Sequence, residues 1–114
     1  MSERLDVLVS YVPQSDTALV LRALFEAGAG EIGAYRECAF ITPGTGQFRP
    51  LAGANPTIGS VNELEYVAEN RIEVTFPRRI RAQVVAALRA AHPYEEPAFH
   101  VVENVASHPA DDSS

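Results

Sequence analysis

The sequence contains no lysine and no tryptophan, a single cysteine, and only nine basic residues against fifteen acidic ones. Each shortage excludes something. A net charge of −6 argues against a nucleic-acid or anionic-membrane surface, because phosphate contacts need clustered basic side chains. The one local basic cluster, Arg78, Arg79 and Arg81, spans a single helical turn and reads as a solvated face. One cysteine permits no intramolecular disulfide, which fits a reducing compartment. No apolar run approaches the roughly 18 residues of a membrane span, and no secretory leader is apparent, so a soluble cytoplasmic protein is expected.

What is present suits one folded unit. At 114 residues, with 46% hydrophobic side chains, the chain can bury a core without staples. The expectation is a single domain over 1–106 and a short polar, disordered tail over 107–114.

Leu5 to Val12 reads as a strand apolar on both faces, with Leu8 and Val12 on one side and Val7, Val9 and Tyr11 on the other. Pro13 then opens a helix, with Asp16 near its N-terminus and Val20, Leu21, Leu24 and Ala27 as its buried stripe. Gly28 supplies the stop, and Gly30 and Gly33 leave the next turn loose. A second strand is expected over Ala34 to Ile41, with Cys38 as a small buried hydrophobe within it.

Glu63 to Phe76 alternates as a third strand, with Leu64, Tyr66, Ala68, Ile72, Val74 and Phe76 on one face. Asn70 interrupts that apolar face and suggests a bulge or bend. Pro77 opens a second helix with Ile80, Val84, Ala87, Leu88 and Ala91 as its stripe, and Pro93 ends it. Ala98 to Val102 makes the last strand, with His100 on the sheet surface.

A shift of sixty-four residues maps Leu8, Val12, Pro13, Val20, Leu21, Ala23, Leu24 and Ala27 onto Ile72, Phe76, Pro77, Val84, Val85, Ala87, Leu88 and Ala91. Two strand–proline–helix units, each followed by a strand, give β-α-β-β-α-β. This is the ferredoxin-like α+β plan, a four-stranded antiparallel sheet with two helices on one face. The stripe of Val7, Val9 and Tyr11 on the other face calls for cover, and self-association supplies it.

Two segments hold residue types that no core requires. His92-Pro-Tyr-Glu-Glu-Pro97 begins at a helix C-terminus, where the macrodipole and the nearby Glu95 and Glu96 favour a protonated imidazole. It is either a solvated helix stop or a corner facing a cleft; a histidine and a carboxylate amount to half a metal site at best. The run Thr42 to Gly59 is long for a hairpin connection, and such loops are often functional. Gly44-Thr-Gly46 has the composition to wrap N–H groups around an anion, with Arg49 as a clamp. The run matches neither G-x-G-x-x-G nor a Walker motif. A rigid arm anchored on a neighbouring subunit by Phe48, Leu51 and Ile58 is the competing reading.

These two segments, with Gly28-Ala-Gly30-Glu-Ile-Gly33 and Leu64-Glu-Tyr66, resemble one domain of the Nif-three-like (NGG-interacting-factor-like) dinuclear-metal hexamer family. The resemblance runs from about Val9 to Phe99 and is to the inserted PII-like/CutA-like domain; CutA proteins carry a similar His-Pro-Tyr-Glu segment. It implies a ferredoxin-like fold and a homotrimer. In the long family members the two-metal site lies in flanking parts of the chain that have no counterpart here, so none of its ligands maps onto this sequence and no intrinsic dinuclear site is expected.

The functional expectation is a non-enzymatic module binding a small anionic ligand or a divalent metal at clefts between subunits. Thr45, Gly46, Gln47 and Arg49 would serve from the arm, and Asn55, His92, Tyr94 and Glu95 would complete the cleft. The alternatives are a ligand-free assembly or protein-interaction module, and a metal-dependent hydrolase whose metal site comes from another protein.

Overall fold

In the computed structural model, which describes residues 3–107, the sheet order is β2-β3-β1-β4 with every neighbouring pair antiparallel. The strands are β1 (Leu5–Pro13), β2 (Phe40–Phe48), β3 (Glu65–Pro77) and β4 (Phe99–Asn104), and the helices are α1 (Thr17–Glu26) and α2 (Arg81–Ala91). This is the expected α+β, ferredoxin-like arrangement. The internal repeat reappears in detail, because Pro13 and Pro77 each lead into one 3-10 turn, Gln14–Asp16 and Arg78–Ile80, before the helix proper.

The core lies between one sheet face and the two helices. Leu8, Val12, Ile72, Val74 and Phe76 from the sheet meet Val20, Leu21, Leu24, Val84 and Leu88 from the helices. Burying each such side chain stabilises the fold by about 1.5–3 kcal/mol. Polar residues on this face are all partnered. Ser10 donates to the Ala98 carbonyl at 2.9 Å. Asn70 donates to Thr17 Oγ1 at 3.0 Å, and Thr17 donates on to the Pro13 carbonyl at 3.1 Å. Asn70 thus pins the first turn of α1, and pairing runs through it without the expected bulge.

Arg78 departs from the solvated-face reading. Its guanidinium grips Asp6, which is only 2% exposed, through Nε to Oδ2 at 3.1 Å and Nη2 to Oδ1 at 2.8 Å. That bond to the carboxylate raises the pKa of Arg78 further above its already high value.

The second strand is displaced from its expected span. It runs Phe40–Phe48 and so takes in Gly44 and Gly46, while 31–39 form a compact loop. Cys38 therefore sits outside any strand, half-buried, with its N–H bonded to the Gly30 carbonyl at 2.9 Å. Gly30 is tight rather than loose. At φ +86° it donates to the Thr75 carbonyl at 2.7 Å, and a Cβ there would lie 2.9 Å from the Phe25 ring.

On the sheet face away from the helices, Val9 is only 3% exposed within a single chain, and Val7 and Tyr11 are half-buried. The apolar area left there is carried instead by Val102 and Phe40, 47% and 61% exposed. His100 is on the sheet surface as expected. Ser107 closes a 3-10 turn, Val105–Ser107; the rest of the expected tail, with His108, lies outside the described residues.

Candidate ligand-binding site

The site follows from unequal strand lengths. β3 is thirteen residues long, and β1 pairs only with its Glu69–Pro77 portion. The remainder pairs with β2 alone, so Thr45–Phe48 and Glu65–Ala68 project as an arm. The arm is closed at its tip by Asn62 N–H to the Pro50 carbonyl at 2.6 Å and Arg49 Nη1 to the Asn62 carbonyl at 2.7 Å. Beyond the tip, the loop 51–60 folds back toward the end of α2.

The two helix ends sit at equivalent places in the repeat but behave differently. After α1, Gly28 turns the chain at φ +106°. After α2, His92 is extended at φ −69° and ψ 132°, as a residue before proline must be. The chain therefore runs outward from α2, carrying Pro93–Glu96 against the arm loop. Thr57 Oγ1 donates to the Pro93 carbonyl at 2.6 Å, and Asn55 N–H donates to Glu95 Oε1 at 3.2 Å. The two segments singled out in the sequence are neighbours in space.

His92 fixes this corner from behind. It is 6% exposed; Tyr94 N–H donates to its Nδ1 at 3.1 Å, which places the ring proton on Nε2, facing the Tyr11 carbonyl at 2.8 Å. The Tyr94 ring packs edge-on against Phe48 with centroids 5.6 Å apart, and its hydroxyl donates to Glu69 Oε2 at 2.7 Å. Burial, then the bond to Glu69, push the Tyr94 phenol well above the usual tyrosine range. Glu69 lies directly over Gly46, where a Cβ would land on the carboxylate and displace it.

Between these walls is an open cleft of about 520 Å³. Phe48, Pro50, Leu51, Pro56 and Ile58 provide an apolar lining, and Tyr94, Glu69, Glu95 and Glu96 a polar one. Of the expected residues, Gly46, Arg49, Tyr94 and Glu95 line it directly. Thr45 and Gln47 border it, although strand alternation sends their side chains to the opposite face. Asn55 contributes a backbone N–H outside the lining, and His92 stands behind Tyr94. Sequence reasoning missed Tyr11, Glu69 and Glu96; the nearest signal for Glu69 is its place on β3 beside the glycines of β2.

The glycine-rich run does not form the backbone cradle that its composition suggested. Gly44-Thr-Gly46 is extended strand, so its amides do not converge, and the Arg49 guanidinium already donates within the arm. Among the described residues, no three His, Cys, Asp or Glu side chains gather to hold a metal ion. A second groove, about 590 Å³, runs beside α1 past Leu21, Arg22, Phe25 and Arg36, but it collects none of the expected ligand-binding residues. Among the described residues, no helix is long and apolar enough to cross a membrane.

No family model matches the chain. A GTP cyclohydrolase 1 type 2 homolog of Mycobacterium tuberculosis is 57% identical over 97 residues, covering 85% of this chain and 26% of that protein. The crystal structure of a Bacillus cereus protein related to NIF3 superposes with a TM-score of 0.76 at 38% identity, over 91% of this chain and 26% of the other. The CutA protein of Archaeoglobus fulgidus shares the fold, with a TM-score of 0.61 at 17% identity over 86% of this chain and 81% of its own. The chain spans about a quarter of the length of the curated relatives it matches. It is thus homologous to a quarter-length segment of the NIF3-related GTP cyclohydrolase 1 type 2 homologues, built on the ferredoxin-like fold that CutA also has.

Proposed function

We propose that this chain is a non-enzymatic, homotrimeric binding module whose ligand is a small molecule held between the arm loop and the end of α2. One observation carries the reading. The cleft is pre-formed, with its walls fixed by Thr57 on Pro93, Asn55 on Glu95 and Tyr94 on Glu69, while its interior stays open. A mainly apolar hollow of some hundreds of cubic ångströms with a few placed polar groups is the usual form of a small-molecule site. The anionic ligand anticipated from the glycine-rich run would face Glu69, Glu95 and Glu96, so charge speaks against it. A divalent ion has Glu69, Glu95 and Glu96 in the lining, but among the described residues no three such side chains gather closely enough to hold it.

Self-association rests on a separate observation, the exposed Phe40 and Val102 on the sheet face away from the helices. The same surface supports the second reading, an assembly module that binds no ligand. A hydrolase reading requires metal ligands from outside this chain.

A thermal-shift screen of mixed amines, neutral aromatics, nucleotides, phosphate and divalent metals tests the ligand reading. Ala54→Trp, which fills the cleft from an exposed turn, is the control. A ligand that stabilises the chain but not the variant supports the proposal; equal stabilisation of both, or none at all, overturns it.

A further inference from the structure

We infer that the cleft selects an organic cation: a primary or quaternary amine joined to a compact apolar or aromatic body. The inference rests on the proposed reading of the cleft as a ligand site and adds the chemical class of the ligand.

The argument is from shape first. Phe48, Pro50, Leu51, Pro56 and Ile58 give the hollow an apolar wall that suits a hydrocarbon or ring and gains nothing from a bare metal ion or phosphate. The Tyr94 and Phe48 rings, which meet at 62°, both line this space. Aromatic faces attract an ammonium group more strongly when it is shielded from water. Tyr11 also lines the cleft, but Arg71 already lies over its ring, 5.8 Å from the centroid, and is paired in turn with Glu73 at 3.0 Å. The ring thus shows that this side of the sheet accommodates a guanidinium on an aromatic.

Charge then decides the sign. Glu69 spends Oε2 on the Tyr94 hydroxyl, while Oε1 accepts no hydrogen bond among the described residues. Glu95 spends Oε1 on Asn55 N–H. Glu96 is exposed and makes no hydrogen bond among the described residues. Against these three carboxylates stands Arg49, whose Nη1 is committed to the Asn62 carbonyl at 2.7 Å. The cleft thus pairs an apolar wall with three carboxylates, which keep spare acceptor oxygens, against the single guanidinium of Arg49. A cationic head seated at Glu69 and Glu96, with its body on Phe48 and Tyr94, satisfies both halves.

The test compares three soluble probes with the same aromatic body: phenethylammonium, 2-phenylethanol and 3-phenylpropionate, by calorimetry on the full chain. The ammonium is expected to bind at least about tenfold more tightly than the alcohol, a gap of about 1.4 kcal/mol, with the carboxylate weakest. Glu69→Gln and, as an exposed substitution that leaves the fold's hydrogen bonds intact, Glu96→Gln should each shrink the ammonium-to-alcohol ratio. If the alcohol or carboxylate binds as well as the ammonium, the inference falls and the cleft reading stands. If none of the three binds, the inference falls, and the cleft reading is decided by the wider thermal-shift screen.

Discussion

The Tyr94 hydroxyl and the Glu69 carboxylate, 2.7 Å apart, join the segment after α2 to the middle of β3 across twenty-five residues of sequence. A hydrogen bond to a charged acceptor contributes about 1.5–3 kcal/mol, and this one is half-buried. Tyr94→Phe should therefore lower unfolding free energy by an amount near the bottom of that range, measured by denaturant titration.

The same pair predicts a pH dependence. The folded-state pKa of Tyr94 is raised by burial and by Glu69, so the neutral phenol is the stabilised form. Its contribution is fully present below the unfolded tyrosine value of about 10 and is lost as pH rises through the higher folded value. The stability gap between the natural chain and Tyr94→Phe should hold steady through neutral pH and shrink under strongly alkaline conditions.

Gly46→Ala tests the packing of the carboxylate. An added Cβ would strike Glu69, so the side chain must leave Gly46 and strain its bond to Tyr94. The displaced group ends a flexible side chain, so we expect a loss no greater than that of Tyr94→Phe, about 1.5 kcal/mol. In a Tyr94→Phe background Glu69 is free to move, and the cost should be visibly smaller. Additive losses would contradict the coupling.

The Asp6–Arg78 pair distinguishes lost attraction from stranded charge. Arg78→Ala leaves a carboxylate that is 2% exposed without its partner, whereas Asp6→Asn leaves an arginine side chain that is 38% exposed and can reach water. Removing one partner of a buried pair costs about 3–5 kcal/mol. Arg78→Ala should approach that figure, and Asp6→Asn should cost less.

Oligomeric state has its own test. Light scattering should give the mass of three chains, and Val102→Glu, on the exposed sheet face, should lower it. Val9 is a poor probe despite its prominence in the sequence, since the chain's own sheet already buries it. A single-chain mass for the natural protein would remove the trimer.

Periodicity made β1, β3, both helices and the repeat legible, because their buried faces are written in Leu8, Val12, Val84, Leu88 and their equivalents. β2 was illegible for a physical reason. Pro43, Gly44 and Gly46 are poor strand formers, and their strand exists because β3 offers its other edge as a partner along Glu65–Glu73. An edge position tolerates the proline. Arg78 looked like one of three surface arginines because its partner Asp6 is seventy-two residues away. The site was half legible. Its two segments stood out by composition, but that they meet depends on the extended backbone of His92, and Glu69 joins them only through the register of β2 with β3.

Amide chemical shifts of the nitrogen-labelled chain, followed while phenethylammonium is added, test most directly that the cleft between arm and α2 is the binding site. The account predicts that the largest changes fall on Gly46, Thr57, Tyr94 and Glu95. Largest changes on Leu21, Phe25 and Arg36, beside α1, would contradict it.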